Sequence, residues 1–225
     1  MDKKRIDKQG GFTLVELAVA MVIIGILLGA ILKGQDMINN ARGKTVLSDL
    51  KGMEALVWTY YDRKGSFPGD CDGDGIMGAA EAVSTTGGPV AALDNTDPVT
   101  GPIVEDVACS GATGTDSIDT PIGDLREEKL LPWGINNAEV SLHAANGQIR
   151  PTHVTDGTSD RNAIIVYDIP QWVGEMIDAN IDGVVDGEVG RVRYFLTDVT
   201  AGAAWPARVA GELNVAVLYY FDKEI

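Results

Sequence analysis

The stretch Gly10-Gly11-Phe12-Thr13-Leu14-Val15-Glu16, continued as an apolar run to Leu32, decides how the rest of the chain is read. Lys3, Lys4, Arg5 and Lys8 precede it, and no charge interrupts it between Glu16 and Lys33. About twenty apolar residues make a helix about 30 Å long, the thickness of a bilayer's hydrocarbon core. Cations on the near side set its orientation, with the N-terminus left in the cytoplasm and the remainder exported. Glu16 is the anomaly, because a carboxylate in hydrocarbon costs about 3 kcal/mol and is read as functional by default. Cutting the chain after Gly11 would free an amine on Phe12, four residues from Glu16 and on the same helical face, where the two charges can pair.

These residues resemble the class III signal of type IV prepilins and type II secretion pseudopilins, over about the first fifth of the chain. The resemblance implies a leader at 1–11 that a prepilin peptidase removes after Gly11 before N-methylating Phe12. It also implies a membrane or filament-core half of a long helix at 12–33, an amphipathic half at 34–64 and a globular domain at 65–225. The pilin fold that follows from it is α+β, one long N-terminal helix packed on a C-terminal antiparallel sheet. The implied partners are other pilin or pseudopilin subunits and an inner-membrane assembly platform. The implied location is the inner membrane, single-pass with a periplasmic domain, and then a pilus or a pseudopilus.

An ordinary secretory signal has a shorter apolar core and is cut beyond it. Here the glycine comes before a run long enough to span, so the anchor stays on the mature protein. A plain single-span anchor gives no reason for Glu16. At 225 residues there is room for this helix and one domain of ordinary size. The net charge of −15 is uneven: residues 2–8 carry four cations against two acids, which leaves −17 on the rest. Such a body repels nucleic-acid phosphates and attracts cations.

Beyond Lys33 an apolar pattern continues through Met37, Ile38, Ala41, Val46, Leu50, Met53, Leu56, Val57 and Tyr60 at spacings of mostly three or four, one face of a helix. No proline falls between Phe12 and Tyr61, so a single helix about 75 Å long is expected, ending near Arg63-Lys64-Gly65 ahead of Pro68. Gly25 and Gly29 form a small-xxx-small pair, followed by Gly34, Gly43 and Gly52; they read either as close-packing positions or as the ordinary glycine content of a membrane helix.

Residues 78–120 are rich in Gly, Ala, Ser, Thr, Asp and Pro and show no period. Thr120-Pro121 then predicts a capped helix through Ile122, Leu125, Leu130 and Leu131, stopped by Pro132. Strands are expected at 138–144, 162–169, 191–197 and 213–222, the last with Val215, Val217, Tyr219 and Phe221 on one face. A helix at 170–179 would bury Trp172, Val173, Met176 and Ile177.

The sharpest downstream motif is Asp70-Cys71-Asp72-Gly73-Asp74-Gly75-Ile76-Met77-Gly78-Ala79-Ala80-Glu81. It resembles the calcium loop of EF-hands and dockerins. Asp70, Asp72 and Asp74 with the Ile76 carbonyl converge on one hard cation in such a loop, Gly75 makes the sharp turn and Glu81 closes the shell with two oxygens. The bland reading is a solvated acidic turn, although three alternate aspartates repel one another without a cation. Calcium is therefore the expected cofactor. A second candidate set is Asp178, Asn180, Asp182 and Asp186, where the twelfth place is Val189 and Glu188 falls one early, so a structural turn competes with it.

Cys71 and Cys109 both follow the apolar segment and so fall in an oxidising compartment, where a disulfide persists; two unpaired buried thiols are the alternative. No enzyme is expected. His143 and His153 are the only histidines and neither has a triad, a His-x-x-x-His pair or a phosphate loop beside it. His143 reads as a surface or half-buried strand residue, and His153 as part of a turn-rich stretch. Trp58, Trp133, Trp172 and Trp205 are dispersed, as packing residues are.

Two functions fit. One is a structural filament subunit, the long domain leaning slightly toward a minor or specialised one. The other is a membrane-anchored calcium-dependent binding or adhesion module that does not polymerise. The sequence does not separate an adhesive or motile pilus from a secretion pseudopilus or a DNA-uptake machine.

Overall fold

A computed structural model of the chain describes residues 13–70, 72–77, 120–133, 137–145, 147–155, 160–195, 201–206 and 214–222. The chain divides into two compact units, Met1–Ala41 and Arg42–Ile225. Helix α1, Leu14–Lys64, runs unbroken for 51 residues, as the proline-free pattern predicts. Arg63 and Lys64 supply the cationic last turn, and Gly65 follows at a φ of 78°, its N–H donating to the Tyr61 carbonyl at 2.8 Å.

In the first unit the large apolar side chains of α1, from Leu14 to Ile38, are exposed. This helix is long and apolar enough to cross a membrane. In the second unit Val46, Leu50, Met53, Val57 and Tyr60 are buried, at alternating steps of four and three that trace one stripe. The buried stripe thus begins later than the sequence pattern suggests: Met37 and Ile38 continue the helical period but are exposed.

The stripe packs with a five-stranded sheet formed by β1 (Ile149–Thr155), β2 (Asp160–Pro170), β3 (Val192–Phe195), β4 (Ala201–Ala203) and β5 (Asn214–Tyr220). All pairings are antiparallel and the order is β1-β2-β5-β3-β4, so the last strand of the chain lies at the centre. Register is set by pairs such as Ile164 with Tyr219 and Val166 with Val217. Ile149, Ile164, Val166, Val192, Val215, Val217, Tyr219 and Phe221 share one core cluster with the α1 stripe. The opposite face of the sheet is buried too, through Val154, Ala163, Ile165, Tyr167, Ala216, Leu218 and Tyr220. That is why β2 and β5 read as continuous apolar runs rather than as alternating ones.

Helix α2, Pro121–Glu127, starts as expected: the Thr120 hydroxyl accepts from Gly123 N at 3.0 Å and Pro121 opens the first turn. Helix α4, Gln171–Ile181, buries Val173 and Ile177. Two expectations are corrected. The strand expected at 138–144 is a short helix, α3 (Asn137–Val140), followed by an isolated bridge between Leu142 and Gln148. The stretch around Pro151 and His153, expected as turn, is the edge strand β1, where proline is tolerated because one side of the strand needs no ladder donor.

Candidate functional site

At the start of α1 the residues Thr13-Leu14-Val15-Glu16 form a reciprocal cap. Glu16 Oε2 accepts from Thr13 N at 2.9 Å and from Thr13 Oγ1 at 2.8 Å, while Thr13 Oγ1 accepts from Glu16 N at 3.3 Å. The carboxylate thereby sits at the positive end of the helix dipole. Thr13 was not singled out from the sequence, although the Thr-x-x-Glu spacing is the signature of such a box. Gly11 and Phe12 lie outside the described residues.

In the loop after α1, carboxylate oxygens of Asp70, Asp72 and Asp74 lie within 4.8 Å of one another. Side-chain to backbone hydrogen bonds turn them inward. Asp70 accepts from Gly73 N at 2.8 Å and Gly75 N at 3.1 Å, Asp72 from Asp74 N at 3.3 Å, and Asp74 from Ile76 N at 2.7 Å. Gly75 takes the sharp turn at a φ of 89°. The chemistry of this set is that of hard oxygen donors, and it fits calcium rather than a soft or redox metal. Cys71, Glu81 and Cys109 lie outside the described residues, as does 78–119.

Two buried side chains from the sheet anchor the end of this loop, and neither was foreseen. Asn162 in β2 accepts from Met77 N at 2.8 Å and donates to the Gly75 carbonyl at 2.8 Å and to Asp222 Oδ2 at 3.2 Å. His153 Nδ1 hydrogen-bonds the Met77 carbonyl, and the Met77 side chain is itself fully buried. The loop is thus bolted to β1 and β2. The loop's entry is fixed by Gly69 N donating to Asp124 Oδ2 of α2 at 2.6 Å.

The second acidic set has other work. Asp178 and Asn180 belong to α4, and Asn180 Nδ2 donates back to the Met176 carbonyl at 2.7 Å. Asp178 is fully buried; its Oδ2 accepts from Trp205 Nε1 at 3.0 Å and from Asp186 N at 2.8 Å, and its Oδ1 has no hydrogen-bond partner. Burial raises its pKa above the ordinary aspartate value, with Asp182 and Asp186 adding to the rise. Asp182 Oδ2 accepts from Val192 N at 2.8 Å. These carboxylates tie the end of α4 to the start of β3. Among the described residues only Asp70, Asp72 and Asp74 are gathered as a metal-binding group.

Neither histidine has a catalytic partner among the described residues, and both are buried. His143, expected as a surface or half-buried strand residue, lies in the turn after α3, with its Nε2 hydrogen-bonded to the Tyr167 carbonyl at 2.7 Å.

Comparison with known proteins bears on the N-terminus first. Residues 6–32 match the prokaryotic N-terminal methylation motif. The chain is 28% identical over 141 residues to the fimbrial protein EcpC of Eikenella corrodens, an alignment that covers 58% of this chain and 92% of that protein. No solved structure matches.

Proposed function

We propose that this chain, whose N-terminus carries the methylation motif and the resemblance to type IV pilins, is a structural subunit of a type IV pilus or type II secretion pseudopilus. In this reading the precursor is held in the inner membrane by 12–33 with its domain in the periplasm. A prepilin peptidase cuts after Gly11 and methylates the Phe12 amine, and an assembly platform extracts the subunit. Packed helix to helix, Glu16 pairs with the Phe12 amine of its own or a neighbouring subunit, which removes two uncompensated charges from an apolar core and registers the incoming subunit.

The observation that carries this reading is the Thr13–Glu16 cap. It fixes a carboxylate at the start of α1, whose first half leaves its large apolar side chains exposed, four residues after the Phe12 amine that cleavage would supply as counter-charge. Calcium held by Asp70, Asp72, Asp74, the Ile76 carbonyl and Glu81 would brace the domain, and a Cys71–Cys109 disulfide would staple the long intervening stretch to it.

The test is shear. Glu16→Ala is expected to leave the protein cleaved and membrane-bound while lowering the yield of shed filament about a hundredfold or more, the size of a lost buried ion pair. Filament from Glu16→Ala equal to wild type would sink the registration role. A wild-type chain that stays in the membrane fraction under shear is the tethered binding module instead. Its share of the shed polymer measures whether it is a minor subunit.

A further inference from the structure

Three of the exposed apolar side chains in the second unit crowd into one turn, 182–190: Val184 is 67% exposed, Val185 49% and Val189 59%. Turns favour Gly, Asn and Asp, so three valines facing water need a reason. The turn is also firmly tied. Asp186 N donates to Asp178, Val192 N to Asp182, Glu188 N to Asp186 Oδ1 at 3.0 Å, and Tyr194 N to the Gly187 carbonyl at 3.0 Å. At Gly190 any Cβ would collide with the Asp182 carboxylate. A fixed turn that holds its valines outward is built for contact.

Its rim is acidic. Residues 182–190 contain Asp182, Asp186 and Glu188 and no cation. The arginines that follow face the sheet: Arg191 donates to the carbonyls of Tyr220 and Phe221 and to the Tyr219 hydroxyl, and Arg193 donates to the Gly190 carbonyl and lies over the Tyr220 ring. Among the described residues Lys51–Glu54 and Lys64–Glu128 form ion pairs, and neither involves a carboxylate of the turn.

The complement is on α1. Residues 33–44 carry Lys33, Arg42 and Lys44 against Asp36, and Met37 and Ile38 are 66% and 56% exposed. At 3.6 residues per turn Lys33, Met37, Ala41 and Lys44 follow one another along the helix at steps of four and three, with Ile38 one turn before Arg42. One surface is apolar with an acidic rim, the other apolar with basic flanks.

We propose that the 182–190 turn of one copy docks on the 33–44 stretch of α1 of a second copy of this chain. The contact joins two unlike surfaces, so each bound copy still offers one of each, and such head-to-tail contacts propagate into a filament. It also supplies local attraction and register between bodies that each carry −17 and otherwise repel. The inference rests on the filament reading above.

The test uses the full chain in membranes, with shed filament measured relative to membrane-bound subunit. Val184→Lys/Glu188→Lys should lower the yield about tenfold or more, and Arg42→Glu/Lys44→Glu should do the same. The four substitutions in one chain should recover to within about twofold of wild type, and melting of the detergent-solubilised monomers should be alike for all. Wild-type yield from the turn variant overturns the proposal. So does a quadruple variant as poor as either double, which would mean that another protein occupies the turn. A quadruple variant whose monomer melts differently from both doubles would place the pairing within one chain and equally overturn it. If wild type itself sheds no polymer, the filament reading falls and the contact with it.

Discussion

The imidazole of His143 is locked in one neutral form. Its Nδ1 accepts from Ala145 N at 3.1 Å, which leaves Nε2 to carry the proton donated to the Tyr167 carbonyl at 2.7 Å. Protonating Nδ1 would set its new N–H against the Ala145 N–H. Burial lowers the pKa below the ordinary histidine value, and the nearby carboxylates of Asp49 and Asp168 oppose this only in part. A depressed folded-state pKa means that the stabilisation is present above the unfolded value of about 6.5 and is lost as pH falls below it. The melting temperature should therefore drop between pH 7.5 and pH 5 more steeply in wild type than in His143→Gln. The buried Asp178, with its raised pKa, contributes the opposite slope to both proteins and cancels in the comparison. Parallel curves would rule out His143 as the source.

Within α1, two glycines separate packing from propensity. Nothing lies within 4 Å of a Cβ built on Gly52, whereas one on Gly43 would meet Met176 Cε at 2.9 Å and the Trp172 ring at 2.9 Å. Gly52→Ala should stabilise by about 0.5–1 kcal/mol, the helix cost of glycine, which raises the melting temperature by roughly 1–4 °C. Gly43→Leu should cost about 1–3 kcal/mol by forcing α4 off the helix. Equal effects at the two sites would mean that Trp172 and Met176 of α4 do not pack closely on Gly43. The extent of α1 was legible because its signals are local: an apolar period, no proline between Phe12 and Tyr61 and a cationic end before Gly65. Other elements were hidden for physical reasons. β1 looked like a turn because Pro151 reads as a strand breaker although it is penalised only in a central strand, and for β5 the face of Val215, Val217, Tyr219 and Phe221 was legible while nothing in its own residues reports what covers its second face. The alternate aspartates at 70, 72 and 74 were legible as a spacing, but Asn162, which bolts their loop to the sheet, reads in sequence only as the first residue of a strand.

Taken as a whole, the chain separates a unit that leaves its apolar surface uncovered from one that buries two apolar clusters against a single sheet. The second unit has three carboxylates gathered at its surface and a loop fastened through Asn162 and His153 to β1 and β2. A cation bound there would act on the folded state alone and stabilise it by mass action, about 2.7 kcal/mol at a hundredfold excess over Kd. For a domain of this size that corresponds to roughly 5–10 °C. Calcium added to the detergent-solubilised, chelator-treated chain is expected to raise the melting temperature by that much. Magnesium should raise it less, because it keeps its waters and demands octahedral geometry. Asp72→Asn/Asp74→Asn removes two of three mutually repelling charges, so in chelator this variant should melt no lower than wild type and should gain little from calcium. A calcium shift of wild-type size in the double variant would move the site elsewhere in the chain, and no shift in wild type would leave the three aspartates as a turn.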